Sequence, residues 1–153
     1  MSEMPRPTEA HRQLEKLAGT WSGEEKLSPS PWDPKGGTAT GRVENRSALD
    51  GFVVVQDYVQ EREGAVSFRG HGVFSHDGEG YVLHWWDTMG VPPNVFRGQF
   101  EGDTLTMTCN DSQGQSRVVC TVPDSEHYTF RMDVSQDGKE WYTFMEGTYA
   151  KTG

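Results

Sequence analysis

The residues of this chain with the type and spacing to do chemistry fall mostly in one predicted hairpin, 68–87. Two strand-like runs there flank an Asp77-Gly78 turn signal. A two-residue turn at that point sets His71 opposite His84, and facing histidines can share a metal ion or a proton. A metal needs a third ligand, and no spacing supplies one. Alternation puts both histidines on the face of Ser67, Arg69 and Ser75, which reads as the wet, outer side. The opposite face carries Gly70, Gly72, Phe74, Tyr81, Leu83, Trp85 and Asp87. Asp87 there can hydrogen-bond a ligand, or act as a base if burial raises its pKa. It equally suits capping the loop that follows, through backbone N–H groups.

Other runs point polar groups inward. Gln56 and Tyr58 share a face with Phe52 and Val54, so they need each other, trapped water or a ligand as partners. Trp21, Phe130, Met132, Trp141, Met145 and Tyr149 are inward by the same alternation, whereas Arg46 and Arg131 fall outward. The candidate lumen set is therefore Trp21, Gln56, Tyr58, Phe74, Tyr81, Trp85, Asp87, Phe130, Trp141 and Tyr149. Aromatic and methionine lining fills a core or makes an adaptable apolar pocket. Nothing marks covalent or cofactor chemistry: no Gly-x-Ser-x-Gly elbow, phosphate loop or dinucleotide fingerprint occurs. Cys109 and Cys120 belong to a hairpin whose register pairs Cys109 with Ser116 and Cys120 with Leu105, too far apart for a disulfide.

The elements that must position these residues are short strands. After a helix from Thr8 to about Ala18, stopped by Gly19, no 3.6-residue apolar period of useful length recurs. Ten strands are predicted at 20–27, 41–49, 52–61, 66–75, 81–87, 95–100, 104–109, 116–122, 128–135 and 141–150. Pairs such as Asp50-Gly51, Glu63-Gly64 and Asp137-Gly138 punctuate them, and such pairs tolerate the positive φ of hairpin turns. Short turns imply antiparallel neighbours, and one wet face per strand implies a sheet covered on one side. Closure removes the exposed edges, so the expected fold is all-β: a closed antiparallel up-and-down barrel of about ten strands with a short N-terminal helix. One domain accounts for 1–153, with 1–7 loose ahead of the helix.

Composition narrows the partners. The 153 residues carry a formal net charge of −9 with scattered Lys and Arg, which argues against nucleic acid, since phosphate binding needs a basic stripe. Only 33% of residues are hydrophobic but 11% are aromatic, a balance that fits a single-layer fold better than disorder. No apolar run is long enough to span a bilayer and no secretory h-region opens the chain, so no membrane partner is expected. With no disulfide expected either, the location predicted is cytoplasmic.

The order of several short motifs resembles a known group. A leading helix followed by Leu17-Ala18-Gly19-Thr20-Trp21 is similar to the opening of lipocalin-like and fatty-acid-binding-like barrels, in which the Trp plugs the closed end. Leu49-Asp50-Gly51-Phe52, Phe68-x-Gly70-x-Gly72, Trp85-x-Asp87 and Glu146-Gly147-x-Tyr149 resemble a bacterial domain-of-unknown-function family of calycin-type barrels. That resemblance covers nearly the whole chain and implies a fold, not a mechanism. A more distant resemblance, to the nitrobindin barrels, implies haem held by a histidine near the C-terminal end. Here the segment after Gly-Thr-Trp is Ser22-Gly23-Glu24-Glu25-Lys26, and no histidine follows His127. Both departures count against haem.

The expectation is a barrel that binds a small apolar or amphipathic molecule without a cofactor. Trp85, Tyr81, Phe74, Phe130 and Trp141 would form its wall and Gln56, Tyr58 and Asp87 would orient the ligand. Loops 28–37 and 88–94 would form the rim, with Trp32 and Met89 as a lid. The rivals are a barrel enzyme of isomerase or cyclase type using Asp87, a haem-binding protein of the nitrobindin kind, and a ligand-free structural or interaction module, with a homodimer through an exposed strand or the Trp86 face.

Overall fold

The computed structural model describes residues 4–30, 34–90, 93–111 and 114–152, with Asp111 in its backbone alone. Ten strands alternate up and down: β1 (Gly19–Leu27), β2 (Gly37–Ala48), β3 (Val53–Arg62), β4 (Ala65–His76), β5 (Tyr81–Asp87), β6 (Asn94–Glu101), β7 (Thr104–Asp111), β8 (Gly114–Thr121), β9 (His127–Ser135) and β10 (Tyr142–Lys151). Each pairs antiparallel with its neighbours in sequence, and β10 closes onto β1, so the barrel has no free edge. The predicted strand order and number are those observed. No helix among the described residues is long and apolar enough to cross a membrane.

The N-terminal helix is shorter than the apolar spacing predicts. It runs Glu9–Leu14 as α1 and tightens into a 3-10 turn at Glu15–Leu17. Its apolar stripe, Leu14 and Leu17, closes one end of the barrel over Trp21. The Trp21 indole N–H donates to the Leu17 carbonyl (3.0 Å), which also accepts from Asn45 Nδ2 (2.9 Å). Two donors on one helical C-terminal carbonyl satisfy a group that the helix itself leaves orphaned.

A register shift between β3 and β4 leaves Ser67, expected on the outer face, hydrogen-bonded to Gln60 (3.1 Å) at the lining of the interior cavity. Two further registers differ from expectation, each for a local reason. The β4–β5 turn takes four residues, with Asp77 N–H donating to the Gly80 carbonyl and Asp77 Oδ1 accepting from the Glu79 and Gly80 amides. The pairing therefore slides by two: His71 lies opposite Trp86, and His84 opposite Val73. A slide of two preserves which face each residue occupies. Both histidines are exposed, as their face implies, but they do not meet, and His71 Nδ1 lies 2.7 Å from Asp57 Oδ1. Among the described residues no group of three potential ligands could hold a metal.

The second difference is a bulge between Thr143 and Met145. One extra residue, Phe144, flips the alternation upstream of it. Trp141 consequently lies outside the barrel, beyond the start of β10, where its ring covers the Arg117 guanidinium at 4.2 Å. Arg117 in turn pairs with Asp133 (2.8 Å), which also accepts from Thr143 (2.9 Å) and Arg131 (3.1 Å). Burial pushes the Asp133 carboxyl up, but these donors and charges outweigh it and hold the pKa below the ordinary value. The cysteines keep the expected pairing, Leu105 with Cys120 and Cys109 with Ser116, and neither forms a disulfide.

Candidate functional site

Ten strands enclose more space than their own side chains fill, since barrel diameter grows with strand number. The interior holds a cavity of about 580 Å³. Its rim includes Ser28, Ser30, Arg62, Met89 and Asn94, so it opens at the end away from the helix. The described parts of the two predicted rim loops, 28–30 with 34–37 and 88–90 with 93–94, lie at that end; Trp32, the other proposed lid residue, lies outside the described residues. Phe68, Phe74, Leu83, Trp85, Phe96, Val118, Phe130 and Met132 form much of the apolar wall.

Seven of the ten candidate lumen residues line this cavity: Gln56, Tyr58, Phe74, Trp85, Asp87, Phe130 and Tyr149. Trp141 does not, because of the bulge. Trp21 is fully buried, but as the plug beneath the helix. Tyr81 is inward yet belongs to the same closed end, where its hydroxyl donates to the Ala10 carbonyl (2.8 Å) and its ring meets His76 and Phe100. Alternation gives the face of a strand but not the depth along the barrel axis, and depth separates these two residues from the cavity.

The wall is shaped by glycines. A Cβ on Gly70 would lie 2.1 Å from Trp85 Cζ2, and one on Gly72 would lie 3.0 Å from Trp85 Cε3. The Trp85 indole can therefore rest flat on the β4 backbone. Its N–H donates to Asp87 Oδ2 (2.9 Å), while Asp87 Oδ1 accepts the Met89 N–H (2.9 Å). Both Asp87 oxygens are engaged, one orienting the indole and one capping the turn that follows β5 at Met89. That arrangement favours positioning over proton transfer.

Glu25 is the functional group that sequence reasoning missed. Its side chain is completely buried, on the same face of β1 as Trp21. Tyr58 donates its hydroxyl to both carboxylate oxygens (2.7 and 2.8 Å), Gln60 Nε2 donates to Oε1 (3.1 Å), and Tyr149 donates to Oε2. Gly41 leaves room for the carboxylate, because a Cβ there would lie 2.2 Å from Glu25 Oε2. Three neutral donors hold the carboxylate without a described ion pair, and Tyr58, Gln60 and Tyr149 border the cavity in front of it. A two-residue count from Trp21 was the available signal; it marks Gly23, Glu25 and Leu27 as inward.

Burial pushes the Tyr58 and Tyr149 phenols far above their ordinary range, and the Glu25 charge and hydrogen bonds push the same way. Tyr128, buried against Cys120, is raised as well. Burial also pushes the Cys120 thiol up to about 11, which keeps it a thiol and a poor nucleophile at neutral pH. The tyrosines predict an alkaline limit. An unfolded tyrosine releases its proton near pH 10, whereas these three keep theirs, so stability is fully present below about pH 10 and is lost above it. In denaturant titrations at stepped pH, tyrosinate absorbance from the three should appear together with unfolding. Their ionisation in a still-folded protein would contradict this.

None of the five histidines lines the cavity.

Comparison with known proteins gives a family and a fold. A family model described as "Protein of unknown function (DUF1579)" matches residues 6–151. No curated protein matches the sequence. The crystal structure of Rv2717c from M. tuberculosis is similar over 95% of this chain and 99% of its own, at TM-score 0.75 and 11% identity. The S-type phycobiliprotein lyase CPES from Guillardia theta is similar over 96% and 99%, at TM-score 0.59 and 10% identity. At these identities the likeness carries the fold alone.

Proposed function

The chain belongs to the DUF1579 family, and we propose that its barrel is a container that binds one small apolar or amphipathic molecule non-covalently. The observation that carries this reading is the cavity. At about 580 Å³ it falls within the roughly 300–1,000 Å³ of small-molecule sites, and like them it joins an apolar wall to a few placed polar groups. A barrel serving only as a structural module gains nothing from leaving that volume empty, because unfilled apolar space forfeits packing. The name of the lyase neighbour ties a barrel of this architecture to work on phycobiliproteins; for this chain the support extends to the architecture and no further.

The test is occupancy. Native mass spectrometry of protein purified from its own host should show one co-purifying small molecule per barrel, and an environment-sensitive apolar dye should bind the emptied protein saturably. Val118 lies on the cavity wall, so Val118→Phe should weaken dye binding by roughly tenfold or more, equivalent to about 1.4 kcal/mol, with the β-sheet circular dichroism unchanged. Dye binding unaffected by Val118→Phe would place the dye elsewhere and remove the support for a lumen site.

A further inference from the structure

The head group that the cavity favours is written in the chemistry around Trp85. With one indole face resting on Gly70 and Gly72, the other borders the cavity. Tyr58 stands beside it, ring centroids 6.4 Å apart, and Phe68 stands 6.0 Å from Tyr58. All three rings line the cavity. Two of them donate to carboxylates: Trp85 through its N–H to Asp87, and Tyr58 through its hydroxyl to Glu25. Donation to an anion draws electron density into the ring and deepens the negative potential over its face. Arg62 is the one basic side chain among the described lining residues, and its guanidinium donates to the Gly36 carbonyl at the rim (2.9 Å). The whole chain adds a net charge of −9.

We propose that the container selects amphipathic cations, substituted ammonium ions whose head rests against Trp85, Tyr58 and Phe68 and whose apolar tail lies along Leu83, Phe96 and Phe130. The proposal rests on the container reading and names its ligand class. Aromatic faces bind ammonium ions through the ring quadrupole, and alkylated ammonium is favoured because little hydration is lost. A carboxylate or sulfate head at the same place meets the Asp87 carboxylate on the wall and the Glu25 carboxylate behind Tyr58, while the Arg62 guanidinium is engaged by the Gly36 carbonyl at the rim. Its burial would cost more than that of the cation.

Three probes that share a tail and differ in charge decide the matter: decyltrimethylammonium, decanol and decyl sulfate. Each is titrated below its micelle concentration, at about 0.15 M salt to screen surface charge. Calorimetry gives affinity and stoichiometry, and tryptophan fluorescence reports the site. The cation is expected to bind one per barrel, about tenfold tighter than decanol, with decyl sulfate weaker than both. Trp85→Leu and Glu25→Gln should each bring the cation-to-decanol ratio to parity. Glu24→Gln, on the exposed face of the same strand, should leave the ratio unchanged. If Glu25→Gln does not fold, the wild-type probe series and Trp85→Leu still decide. Equal binding of the cation and decanol, or preference for the sulfate, overturns the cation proposal while the container stands. Failure of all three to bind removes the container reading, and this one with it.

Discussion

Replacing Glu25 with alanine is expected to destabilise the protein by about 3–5 kcal/mol. The carboxylate, itself fully buried, accepts from Tyr58, Tyr149 and Gln60. Removing it orphans the buried Tyr58 and Tyr149 hydroxyls at about 1–3 kcal/mol each and takes one acceptor from Gln60, which keeps the Tyr58 oxygen (3.1 Å), less whatever is recovered if water from the cavity enters the space. The magnitude comes from the donors and not from any direct packing by Glu25. Removing two of those donors as well should therefore restore much of the loss: Glu25→Ala combined with Tyr58→Phe and Tyr149→Phe should be more stable than Glu25→Ala alone. Non-additivity of that sign is the mark of a shared network. Urea unfolding of the single and triple variants provides the comparison. A single-variant loss below about 1 kcal/mol would mean the two hydroxyls find other partners readily.

That cluster also shows what kind of information the sequence carries. Period-two alternation is a strong signal because a strand has only two faces. It placed Gln56, Tyr58, Phe74, Trp85 and Phe130 inward, and all of them line the cavity. Alternation fails where the backbone gains a residue. The bulge before Met145 turns Trp141 outward, and nothing in Trp141-Tyr-Thr-Phe-Met145 marks it. Turn dipeptides locate a hairpin but do not count its loop residues, so Asp77-Gly78 was right about the turn and wrong about His71 facing His84. Depth along the barrel is set by strand stagger, a property of the closed sheet, and no single strand reveals that Tyr81 sits under the helix. Glu25 was legible by alternation but concealed by residue type. A glutamate among Glu24, Glu25 and Lys26 reads as surface until its face is counted from Trp21.

Gly70→Ala is expected to abolish ligand capacity while leaving the barrel assembled. Gly70 is not in the left-handed region, so the added methyl brings no backbone strain; its whole effect is steric. That methyl would lie 2.1 Å from Trp85 Cζ2 and 2.3 Å from Cη2, and the indole must lift off the β4 backbone. The space open to it is the cavity. The movement breaks the Trp85–Asp87 hydrogen bond, withdraws the aromatic face from any ligand and occupies the volume a ligand needs. Overpacking of this kind costs about 1–3 kcal/mol, and affinity for an apolar dye should fall by more than about tenfold. The double variant separates cause from coincidence. In a Trp85→Leu background no indole remains to displace, so Gly70→Ala should cost little further stability or dye affinity. Equal losses in the two backgrounds would show that Gly70 matters for some reason other than seating Trp85.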